Sequence, residues 1–128
     1  MLETSPSERD NNMNNYANIY LLKCKELHLA GVIPAISIPA NDNNFKSIKE
    51  ISDKIIIHEG IDFFVLFLQE GHYLVQLWAA HILVMTTGIS DNIKNQSLSV
   101  IKDYTDNPLV PEVSEAEKNW LTRFYPNA

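Results

Sequence analysis

HYLVQLWAAHIL, residues 72–83, joins Trp78 and the paired Ala79 and Ala80 to two histidines within a nearly unbroken aliphatic run. Apolar side chains fall on almost every side of a helical wheel, so residues 73–86 are predicted to form a helix enclosed by neighbours at the centre of the core. Its inward set is Tyr73, Leu74, Leu77, Trp78, Ile82 and Val84. The wider stretch from Gly71 to Ser90 lacks Lys, Arg, Asp and Glu, yet it carries histidines, a glutamine, hydroxyl residues and glycines. It reads as a buried helix with its exits rather than a membrane span, which wants about twenty predominantly apolar residues.

Working outward, Gly71 and Gly88 bound this helix. Before it, Asp62 is expected to cap a short apolar helix over 63–70. Earlier still, Asn43 or Asn44 is expected to cap a helix whose stripe is Phe45, Ile48, Ile51 and Ile55, closed by Gly60. The segment VIPAISIPANDNN, residues 32–44, holds two prolines and is expected to run extended over the surface. From Asn15, apolar residues recur at helical spacing through Tyr16, Ile19, Tyr20, Cys24 and Leu27, with Gly31 as the stop. Residues 1–14 are expected to be a disordered tail, leaving 15–128 as one helical domain. After the central helix, Ser90 or Asp91 caps a helix to about Tyr104, with Ile93, Leu98, Ile101 and Tyr104 facing inward. The last helix has two possible starts, Pro111 in its first turn or Ser114 to Glu117 as a capping box. Its stripe is Val113, Ala116, Trp120, Leu121 and Phe124. The expected architecture is all-α, with about six helices in three antiparallel hairpins. Ala79 and Ala116 occupy equivalent places in the second and third hairpins, which hints at a repeat.

Bulk properties agree with a helical domain. A chain of 128 residues buries a sizeable core without staples. The hydrophobic fraction of 45%, with only four glycines, speaks against a turn-rich all-β fold. A single cysteine, Cys24, rules out an internal disulfide and suits a cytoplasmic setting. The N-terminus has no basic start followed by an apolar core, so it does not read as a secretory signal. A net charge of −6 disfavours nucleic acid, whose binding rests on Lys and Arg, and favours a basic partner.

The run Val75-Gln76-Leu77-Trp78-Ala79-Ala80, followed by Ile82 and Leu83, resembles the V-R-x-x-A-A-x-x-L core of a HEAT repeat's second helix, and FFVLFLQEGH before it looks like the first helix and turn. Small residues at Ala79 and Ala80 let a neighbouring helix approach while large aliphatics fill the gaps. Gln76 stands where that family often has Arg. The resemblance covers residues 61–124 best and implies a compact HEAT-like right-handed array that acts as an interaction scaffold. The chain also resembles, more loosely, bacterial immunity proteins that neutralise toxins of contact-dependent growth inhibition. That likeness rests on general character and on YTDNPLVPEVSEAEKNWL, and it implies a cognate protein toxin with a basic surface as partner.

Residue chemistry points away from catalysis. Zinc needs three or four converging ligands, and neither CxxC nor HExxH occurs. GxSxG, the Walker loop and the dinucleotide-binding glycine pattern are missing too. No catalytic, cofactor-binding or metal residues are therefore assigned, and no small-molecule substrate or membrane partner is expected. His81 is expected to be a core histidine donating to a nearby carbonyl. His72 lies on the opposite side of the helix, at about 100° per residue, so the two cannot share a metal there. His28 and His58 fit the negative ends of helix dipoles. Cys24 belongs to an apolar stripe and reads as a core thiol. Glu59, Asp62, Glu70 and His72 lie at helix boundaries, where caps and solvated ends are the simple reading; the His72 and Glu70 neighbourhood is the one place for an acid-base alternative. Lys46, Lys49 and Lys54 alternate with Glu50 and Asp53 as a solvent-facing coat. From Asp103 to Glu117 there are five acids and no Lys or Arg. Carboxylates near a helix start complement its dipole; the remainder forms an acidic ridge suited to the basic cleft of a nuclease. Asp103, Asp106, Glu112 and Glu115 are the candidate partner-binding residues, with Glu117 withdrawn if it closes the capping box. The expected function is toxin neutralisation by occupancy; a HEAT-like adaptor without toxin specificity is the alternative.

Overall fold

The structure is a computed structural model that describes residues 5–128, with side chains described from Tyr16 onward. Among the described residues it is all-helical. The helices are α1 (Ser5–Leu29), α2 (Pro34–Ala40), α3 (Asn43–Glu59), α4 (Ile61–Val65), α5 (Val75–Val84), α6 (Asp91–Thr105) and α7 (Pro111–Phe124), with 3-10 turns at Leu66–Gln69 and His72–Leu74. Helix α5 is the axis. Val75 and every residue from Leu77 to Leu83 are buried, so this helix meets protein on all sides. Burying each of its large aliphatics contributes about 1.5–3 kcal/mol. Ala79 and Ala80 are fully buried between larger neighbours, the small-residue contact expected of helices lying close together. Helix α5 packs on α6 and on the 3-10 turn before it, α6 packs on α7, and α1 packs on α3. The α1–α3 contact, that of α5 with the turn before it and the α6–α7 contact match the three pairs expected from the sequence, and the α5–α6 contact joins two of those pairs.

The helix count is seven rather than about six, because the proline segment forms α2 instead of running extended. Pro34 stands in the first turn, where its missing N–H is an orphan in any helix. Pro39 lies so close to the end that only one turn precedes it, and Asn41 closes the helix in a left-handed conformation at φ 51°. Pro34, Ala35 and Ser37 are buried, so the segment packs against the domain.

Local capping departs from expectation in two more places. Asp42, not Asn43 or Asn44, caps α3: its Oδ1 accepts from Phe45 N at 3.0 Å and from Ser37 Oγ at 2.6 Å. Gly60, at φ 94°, precedes the short α4, so Asp62 sits in the first turn and not at the cap. Gly60 also closes α3, and a side chain would be strained at that φ. Ser90 does cap α6, accepting from Ile93 N at 3.2 Å. Helix α1 begins at Ser5, within the stretch expected to be a tail, and residues 1–4 of that stretch lie outside the described residues. Three residues expected to face inward are substantially exposed: Ile19, Tyr73 and Phe124. Tyr73 and Leu74 both adopt left-handed backbone, at φ 52° and 58°, which turns Tyr73 outward and lets α5 begin only at Val75.

Hydrogen bonds from Ser37 and then from the Phe45 amide hold the Asp42 carboxyl below its ordinary value of 3.8. A carboxylate depressed in the folded state stabilises above its unfolded value and loses that contribution as pH falls through the lower folded value. Asp42→Ala is expected to lower stability by about 1 kcal/mol near neutral pH, with the gap between variant and parent closing below pH 3.8. Urea denaturation at the two pH values measures it; a gap that widens on acidification would contradict the assignment.

Candidate functional site

The inner face of α7 carries an unexpected residue. Glu117 is fully buried, one turn before Trp120 on the packed stripe. Its Oε1 lies 2.6 Å from His81 Nε2, and its Oε2 accepts from the Ala35 amide at 3.1 Å. One carboxylate thus ties the central helix α5, the last helix α7 and the start of α2. Burying a charge is costly unless it is paired and hydrogen-bonded, and here both oxygens have donors. The His81 ring also meets Trp120 edge-on at 4.3 Å. His81 is a core histidine as expected, but its partner is this carboxylate and not a backbone carbonyl. The capping-box start of α7 is not formed: Pro111 occupies the first turn and Ser114 Oγ donates to Asn107 O.

The pin to Ala35 holds α2 beside α7, and the two helices frame an open groove of about 530 Å³. Ile33, Ile36, Pro39, Trp120 and Phe124 supply its apolar lining, and Glu112, Glu115 and Arg123 are its charged lining residues. A second groove, about 490 Å³, lies between the α6–α7 connection and α7, where Asp106 and Glu115 share the lining with Lys118. Glu115 therefore belongs to both. Asp103, Asp106, Glu112 and Glu115 are all exposed, and among the described residues none of them is in a salt bridge. Three of the four candidate residues gather around these grooves; Asp103, on α6, lines neither. Arg123 and Lys118 line the same grooves, so the surface is mixed rather than a purely acidic ridge.

The remaining candidates are placed as follows. Glu70 and His72 are in contact, Nδ1 to Oε1 at 2.6 Å, with the His72 side chain 85% exposed. The His72 ring and amide hold the Glu70 carboxyl below its ordinary value. This is a solvated pair at a helix boundary, with neither Glu59 nor Asp62 hydrogen-bonded to it. His28 and His58 stand in the last turns of α1 and α3, and the His58 ring stacks on Tyr16. Cys24 is buried, and that burial pushes its thiol up to about 12, away from nucleophile chemistry. Lys49 pairs with Asp53 and Lys54 with Glu50 along α3. Among the described residues no group of three or more His, Cys, Asp or Glu is arranged to hold a metal ion, and no helix is long and apolar enough to cross a membrane.

The sequence signal for Glu117 was present but ambiguous. It lies three positions before Trp120 and four after Val113, on the same helical face as both. Its spacing from Ser114 gave it a competing local explanation. Set against protein-family models, curated proteins and solved structures, the chain matches none of them.

Proposed function

We propose that this chain is a protein-binding domain that neutralises a cognate toxin, acting as a bacterial immunity protein does, by covering the toxin's basic active-site or substrate groove. The reading includes a HEAT-like right-handed arrangement of the helices, a non-enzymatic role and a cytoplasmic setting. The single observation that supports it is the α2–α7 surface: exposed carboxylates of Glu112 and Glu115 line a largely apolar groove and, among the described residues, have no cation partner. An apolar centre with a charged rim is the usual anatomy of a protein interface. Rim carboxylates steer a basic partner and govern association rate more than residence.

The test is binding of the purified product of the gene directly upstream, where an immunity gene's cognate toxin is expected to be encoded. Glu112→Lys combined with Glu115→Lys is expected to slow association by about ten-fold at low ionic strength, with the difference shrinking as salt rises. Asp103→Lys, outside both grooves, is expected to do much less. Equal affinity and association rate for the double reversal and the parent, by calorimetry and stopped-flow, would remove the acidic surface from the mechanism.

A further inference from the structure

The groove between α2 and α7 has a direction. Glu112 stands in the first turn of α7 and Arg123 in its last, and both line the groove, so its two ends carry opposite charge. At a rise of about 1.5 Å per residue they are about 16 Å apart along the helix, or about three turns. Glu115, one turn after Glu112, adds to the acidic end. All three residues are exposed, and among the described residues none of them is in a salt bridge. Apart from Asn119, the lining between the charges is apolar: Ala116 and the buried Trp120 from α7, with Ile36 exposed on α2 and Phe124 exposed at the end of α7. Arg123 lies over the Phe124 ring, 4.9 Å from its centre, which places the guanidinium beside this aromatic wall. The α7 residues follow one another at steps of three and four, so a single face of that helix forms one long side of the groove.

An extended segment would find no backbone partner here, since among the described residues the elements are all helices and no sheet edge is offered. A helix satisfies its own N–H and C=O groups and brings apolar side chains at i, i+3, i+4 and i+7 to such a groove. Its charges are set by two demands that agree. Lys or Arg must meet Glu112 and Glu115, and Asp or Glu must meet Arg123; cations are favoured at the C-terminal end of a helix and anions at its N-terminal end. Both are met only when the incoming helix runs antiparallel to α7. We propose that the groove receives an amphipathic helix of about three turns from the partner protein, antiparallel to α7, acidic in its first turn and basic in its last. This rests on the reading of the face as a protein-binding surface and names the segment that the face takes.

Two peptides of about fourteen residues, each locked helical by a side-chain lactam, test it. Both carry leucines at helical spacing; one has Glu in its first turn and Lys in its last, and the other has these charges exchanged. Titrated into the full chain at low ionic strength, the first is expected to bind about ten-fold more tightly than the second by calorimetry, with the gap narrowing in salt. Exchanging the charges of the groove, by Glu112→Arg, Glu115→Arg and Arg123→Glu together, is expected to reverse that order. Ile36→Asp, at an exposed position on α2, is expected to abolish binding of both. No binding at millimolar peptide, equal affinity for the two peptides, an order unchanged by the exchange, or binding that survives Ile36→Asp would each overturn the proposal. Slowed toxin association in the Glu112→Lys, Glu115→Lys variant without peptide binding overturns this inference alone. Ordered peptide binding with toxin association unaltered overturns the toxin reading and leaves the helix groove standing.

Discussion

Replacing Glu117 by alanine is expected to cost about 3–5 kcal/mol, among the largest losses any single substitution in this chain produces. The substitution strips the acceptor from two buried donors at once, His81 Nε2 and the Ala35 amide. It also leaves a hole beside Trp120. Against a total stability of about 5–15 kcal/mol for an ordinary domain, the variant is expected to unfold in mild urea. The pair itself is worth less than its breakage costs, since desolvation offsets much of the attraction. His81→Leu combined with Glu117→Met, an apolar pair of similar bulk, is therefore expected to recover most of the lost stability. A double variant as unstable as Glu117→Ala would show that the pair contributes through more than its own satisfaction.

Trp78→Ala is expected to be comparably severe, at about 3–5 kcal/mol. Trp78 is fully buried on α5, where elements on every side meet. Its Nε1 has no hydrogen-bond partner, so the ring contributes by packing and not through its polar atom. Trp78→Phe keeps an aromatic ring and removes the unsatisfied N–H, and its loss is expected to be well under that of alanine. Denaturation midpoints of the two variants decide this. A phenylalanine variant as damaged as the alanine one would mean that the indole N–H has a partner after all.

The parts of the fold that were legible in the sequence are those set by periodic burial. An apolar run on every face of residues 75–84 has one physical reading, a helix surrounded by protein, and α5 is that helix. Serine and glycine at Ser90 and Gly60 gave helix boundaries for the same local reason in sequence and structure. Helix α2 was not legible, because two prolines argue against a helix unless the first falls in the opening turn and the second near the end. One of its tertiary contacts comes from a residue more than eighty positions away: Glu117 accepts from Ala35 at its first turn. No local pattern encodes that contact. The site divides in the same way. Glu112, Glu115 and Asp106 could be picked out by charge, but their gathering around shared grooves with Arg123 and Lys118 depends on where α2 and α7 come to lie. Asp103 belongs to the same acidic run in sequence and falls outside the grooves, because α6 carries it away from the α2–α7 face.

The groove between α2 and α7 depends on the carboxylate of Glu117 holding α2 in place. Amide hydrogen exchange at Ala35 in the His81→Leu, Glu117→Met double variant reads that hold directly. With the acceptor gone and the core still filled, Ala35 is expected to exchange about ten-fold faster or more, while amides of α5 and α6 keep their protection. An Ala35 amide as slow in the double variant as in the parent would show that α2 is secured by packing alone, and that the buried carboxylate does not build this face.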